Sequence, residues 1–156
     1  MRALAGMFVG ALMGSFVPVA SHAADIARCG ASEGYGYFPK IGFAASDQSA
    51  GEWTEDRISN GRFTVTLSDA NEFDILVLDA TGGIYSSRSS GAVIRMIGKT
   101  DEALALIAIY PGTSIETYTF VRNVDGDAEV MWTANKYGTL IPKAGSYRAA
   151  CSFLAF

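Results

Sequence analysis

The sequence predicts an all-β domain: a single antiparallel β-sandwich or small closed β-barrel of about eight short strands, its termini tied by a disulfide. Three observations carry this. Apolar and polar residues alternate at period two, turn signals recur between the alternating runs, and the 2 cysteines, Cys29 and Cys151, lie near opposite ends of the chain. With 156 residues, 49% hydrophobic and 18% charged, the chain suits one domain and is too apolar for a solvated, disordered one.

Residues 1–23 read as a cleaved signal peptide, leaving 24–156 as one exported β-domain. Met1-Arg2 is a short basic start, Ala3 to Val17 is apolar or small, and Ser21-His22-Ala23 offers small residues where a signal peptidase reads them. Cleavage falls after Ala23 or Ala24. The apolar run is short for a spanning helix, which needs about 20 residues. Arg28, just before Cys29, occupies a position where a lipoprotein signal needs a small residue. Stepping back by twos from Phe156 gives Leu154, Ser152, Ala150 and Arg148, a poor lipid-facing band for a membrane barrel. The expectation is a periplasmic or extracellular protein without stable membrane insertion. The net charge is −4, and loss of Arg2 makes it more negative, so nucleic acid is not an expected partner.

The elements follow in order. A shorter strand is predicted from Tyr35 to Phe43. Trp53 to Ile58 and Arg62 to Ser68 flank Asn60-Gly61, the strongest short hairpin signal, and are expected to pair. Phe63, Val65 and Leu67 alternate with polar neighbours, as in a strand with one wet face. Phe73 to Leu78 is apolar at both parities, as in a strand covered on both sides. Thr81-Gly82-Gly83 turns the chain. Strands then follow at Ala92 to Ile97, Ala103 to Tyr110, Ile115 to Arg122, Ala128 to Thr133 and Tyr147 to Leu154, separated by Gly98-Lys99-Thr100-Asp101, Pro111-Gly112, Asp125-Gly126 and Ala144-Gly145. Thr100-Asp101-Glu102 also suits a helix cap, but the segment after it is short and sits among strands.

The sequence narrows the chemistry. Its 1 histidine, His22, falls in the leader, so the mature chain has no Ser-His-Asp triad, Cys-His dyad or histidine-ligated metal. In an oxidising compartment Cys29 and Cys151 are expected to join, leaving no free thiol. No metal site or cofactor is expected. Asp125-Gly126-Asp127 reads as a hairpin turn, because it lacks the glycine and glutamate spacing of a calcium loop. Catalysis would have to use carboxylates, Lys, Tyr or an unusual Ser/Lys pair; Glu55 with Asp79 is the candidate carboxylate pair for glycosidase-type hydrolysis.

The leading expectation is a non-catalytic domain that binds a protein, glycan or small ligand. Tyr35 and Tyr37, spaced by glycines, and Trp53 offer aromatic faces. Ser86-Ser87-Arg88-Ser89-Ser90-Gly91 gathers hydroxyls around Arg88, with Tyr85 directly before it. Gly51-Glu52-Trp53 resembles the Gly-x-Trp that opens the first barrel strand of lipocalins and related calycins, with Arg148 in the place of the arginine that packs on that tryptophan. The family's Thr-Asp-Tyr motif is missing. The resemblance implies a carrier of an apolar ligand held in the barrel mouth.

Overall fold

The structure is a computed structural model that describes residues 23–78 and 82–156. The expected signal peptide therefore lies almost wholly outside the described residues, as does Asp79. Among the described residues the strands are β1 (Ala23–Cys29), β2 (Ser32–Tyr37), β3 (Trp53–Ile58), β4 (Arg62–Ser68), β5 (Phe73–Leu78), β6 (Ile84–Ser86), β7 (Val93–Lys99), β8 (Ala103–Tyr110), β9 (Ser114–Arg122), β10 (Ala128–Lys136) and β11 (Lys143–Leu154). They form one antiparallel sheet in the order β6-β5-β4-β1-β11-β10-β9-β8-β7, with β2 and β3 as a side branch.

The branch exists because β11, at 12 residues, is long enough for two partners on one edge. Its first half, Ala144 to Arg148, pairs with β2, and its end, Cys151 to Leu154, pairs with β1. Gly30 spans the junction, its amide donating to the Ala150 carbonyl at 2.9 Å. Where β2 crosses β11 the backbones are very close. A Cβ on Gly34 would stand 2.0 Å from the Ser146 carbonyl oxygen, so only glycine fits there.

Alternation delivers one core face. Phe63, Val65, Ile75, Leu104, Leu106, Phe120, Val130, Trp132 and Tyr147 are buried; each large apolar side chain so covered contributes about 1.5–3 kcal/mol. Tyr118, Trp132 and Tyr147 are direct cross-strand partners and stack in a row, with centroids 5.7 and 4.3 Å apart. Phe63 meets Tyr118 and Phe120 edge-on at 5.8 and 6.2 Å.

The sheet curls into a half-barrel, bringing β5 against β7. Ser87 ties the two sides together: its amide donates to the Ile75 carbonyl at 2.9 Å, and its hydroxyl accepts from Tyr110 at 2.8 Å. Cys29 and Cys151 form the expected disulfide, at paired positions of β1 and β11.

Several expectations change. The hairpin across Asn60-Gly61 does not form: β3 pairs with β2, whereas β4 pairs with β1 and β5. Asn60 does take a positive φ of 61°, but the turn marks where the two branches part. The early strand is Ser32–Tyr37, not Tyr35 to Phe43. Pro39 ends the ladder, and Gly42–Ser46 forms a 3-10 turn. β5 is less covered than its composition implies: Ile75 is fully buried and its neighbours half-buried. β1 and β6 are additional strands, and β10 and β11 are longer than expected. Ala103–Tyr110 is a strand, as read. Asp125-Gly126 is a hairpin turn, with Gly126 at φ 88° and its amide donating to the Asn123 carbonyl.

Candidate functional site

Glycine alternation gives β2 two unlike faces. Ser32, Gly34 and Gly36 point toward the core side, leaving Glu33, Tyr35 and Tyr37 on the other. Register places Trp53 opposite Tyr37, Glu55 opposite Tyr35 and Arg57 opposite Glu33. The sequence-predicted residues Tyr35, Tyr37, Trp53 and Glu55 thus share one outward face. Tyr35 is 55% exposed and Trp53 59%, and the Tyr37 and Trp53 rings meet at 5.7 Å.

Neighbouring strands complete a groove of ≈ 480 Å³ that includes Glu33, Tyr35, Glu55, Arg57, Met131, Ser146 and Arg148. Its charges are paired: Arg148 with Glu33 at 3.0 Å and Arg57 with Glu55 at 2.8 Å. Both pairs are about two-thirds exposed, so they add at most ~1 kcal/mol of stability each. Their donors and acceptors remain open to a ligand.

The underside is fastened to the core. Asp56 accepts hydrogen bonds from the Lys143 ammonium and the Tyr147 hydroxyl, both at 2.7 Å, and Ser32 accepts one from the Trp132 indole at 3.0 Å. Gly36 leaves room for this, since a Cβ there would stand 3.0 Å from the Asp56 carboxylate. A face anchored in this way is ordered by the fold itself.

Burial pushes the Asp56 carboxyl up, but the Lys143 and Tyr147 hydrogen bonds and the Lys143 and Lys136 charges outweigh it and hold the group below its ordinary 3.8. Burial opposes the Lys143 charge, but its bond to Asp56 raises it above 10.5. Asp56 therefore contributes fully above pH 3.8, and its contribution is lost as pH falls through its lowered folded value. Lys143 contributes fully below pH 10.5 and loses its contribution as pH rises through its raised value. Asp56→Asn is expected to destabilise the protein at neutral pH, with the gap to wild type closing below pH 3.8. Urea unfolding across an acid pH series measures this; an unchanged gap in acid would contradict it.

Other candidates lie elsewhere. Tyr85 is exposed on β6. Arg88 pairs with Glu72 at 2.9 Å, and its amide donates to Asp74, which also accepts from the Ser86 hydroxyl at 2.6 Å, so Arg88 holds its loop onto β5. Asp79 lies outside the described residues, and Glu55 is exposed beside Arg57. The features behind the calycin resemblance take other roles: Trp53 is an exposed residue of an edge strand rather than a core anchor, and Arg148 turns to Glu33. Sequence reading missed the Asp56–Lys143–Tyr147 cluster. Parity along β3 puts Asp56 on the side opposite Trp53 and Glu55, but nothing in the sequence points from it to Lys143 or Tyr147.

No protein-family model, curated protein or solved structure matches the chain.

Proposed function

We propose that this protein is an exported, non-catalytic β-domain that binds a glycan on the outer face of β2, β3 and β11. The observation that carries this reading is the presence of exposed Tyr35 and Trp53, with Tyr37, on one face of a strand pair fastened from beneath. Aromatic rings stack on the C–H faces of sugars, and the adjacent Glu33, Arg148, Glu55 and Arg57 supply acceptors and donors for hydroxyls. The same density of charge argues against a protein-interface core, from which charged residues are depleted. Glu55, ion-paired with Arg57 on an open surface, suits hydrogen bonding to hydroxyls.

The leader-like composition of residues 1–23 and the disulfide both fit an oxidising compartment outside the cytoplasm. In this reading the half-barrel works as a small barrel scaffold, with the Ser87 segment covering the gap between β5 and β7. The test is affinity electrophoresis through gels containing neutral or acidic polysaccharides. At least one polysaccharide is expected to retard the protein, and Tyr35→Ala and Trp53→Ala each to weaken binding roughly tenfold, about 1.4 kcal/mol, without altering the melting curve. Absence of retardation by every polysaccharide, or full retention by both variants, would remove the proposal.

A further inference from the structure

A second opening lies on the core side, where β3 and β4 part. It is a cleft of ≈ 180 Å³ whose apolar walls include Phe63, Val77, Leu78 and Trp132. Three charged residues also line it: Glu116 from β9, Arg62 from β4 and Lys136 from β10. Glu116 is fixed in place, its carboxylate accepting the Tyr118 hydroxyl at 2.6 Å. Burial, with the Glu116 charge beside it, pushes the Tyr118 hydroxyl well above its ordinary value, so Tyr118 stays a neutral donor. Among the described residues none of the three charged groups enters an ion pair.

We propose that this cleft binds a small zwitterion with an apolar side chain, namely a single apolar α-amino acid. Its ammonium is received by the Glu116 carboxylate oxygen that Tyr118 leaves open, its carboxylate by Lys136 and Arg62, and its side chain by the Phe63, Val77, Leu78 and Trp132 walls. Opposite charges brought to an otherwise apolar opening match a ligand carrying both signs at one end, and each contact is a charge-assisted hydrogen bond. Size sets the upper limit. The cleft, at ≈ 180 Å³, is small and suits a ligand of the size of one amino acid. This inference concerns a different face from the glycan groove and stands or falls independently of it.

Titration calorimetry of the mature protein with leucine, with isocaproate, which lacks the ammonium, with isoamylamine, which lacks the carboxylate, and with glycine tests it. Leucine is expected to bind, and each of the other three to bind roughly tenfold more weakly or worse. Glu116→Gln keeps an acceptor for Tyr118 and is expected to bring leucine down to the affinity of isocaproate while leaving isocaproate unchanged. No binding of leucine, valine or phenylalanine, or equal affinity for leucine and isocaproate, would overturn the proposal. The wild-type ligand series decides the matter even if the variant folds poorly.

Discussion

Joint replacement of Cys29 and Cys151 by serine is expected to lower stability by about 4 to 5 kcal/mol and the melting temperature by on the order of 10–20 °C. The cysteines are separated by 122 positions, so the bond closes almost the whole domain into one loop, and the entropic restriction of the unfolded chain grows with loop length. Topology adds a local reason. Along the hydrogen-bonded ladder the β4-β5-β6 branch reaches β11 only through β1, and the β1–β11 register is short, Ala27 to Cys29 against Leu154 to Cys151, with one further bond from the Ala155 amide to the Ile26 carbonyl. Urea unfolding of the variant beside the oxidised wild type measures the loss. A difference below about 1 kcal/mol would mean that the β1–β11 ladder, the Ser87 ties and the core packing hold the branch and that the bond contributes little.

Gly34→Val is expected to cost stability at the upper end of the roughly 1–3 kcal/mol typical of overpacking, and to abolish glycan retention. The added Cβ collides with backbone, the Ser146 carbonyl, rather than with a side chain able to rotate away. β2 must therefore lift from β11, and β3, which pairs only with β2, goes with it. Asp56 then leaves Lys143 and Tyr147, and the Tyr35–Trp53 face loses its support. The main core cluster draws on β1, β4, β5 and β7 to β11 and on neither β2 nor β3, so that scaffold should stay folded. Loss of retention together with a retained cooperative transition is the expected pair of results; wild-type retention by Gly34→Val would mean that the face does not depend on the β2–β11 crossing.

Local signals were readable and long-range pairing was not. The alternation around Phe63 and the apolar run from Ala103 to Tyr110 each encode a strand in adjacent residues, and both are present. The Asn60-Gly61 turn encodes a reversal too, but whether the flanking strands then pair depends on the competing partners offered by β1 and β2, which are distant in sequence. Register across such pairings is set by the buried faces they share, and a turn dipeptide says nothing of those. The disulfide was legible because an even pair of cysteines, in the oxidising compartment that residues 1–23 lead one to expect, leaves few alternatives. The aromatic face was half legible: Tyr35 and Tyr37 share a parity, but Trp53 and Glu55 join them only through the β2–β3 register. Asp56, Lys143 and Tyr147 come from two strands 87 or more positions apart, and no local pattern links them.

The two tryptophans offer the most direct test, since Trp53 is 59% exposed and Trp132 9%. Acrylamide quenching of intrinsic fluorescence, with and without a saturating oligosaccharide from whichever polysaccharide retards the protein, reports chiefly on Trp53. A ligand lying on the Tyr35–Trp53 face shields that indole, lowers the quenching constant and shifts the emission to the blue. Quenching that is unchanged with the oligosaccharide bound would place the sugar elsewhere and contradict the assignment of this face.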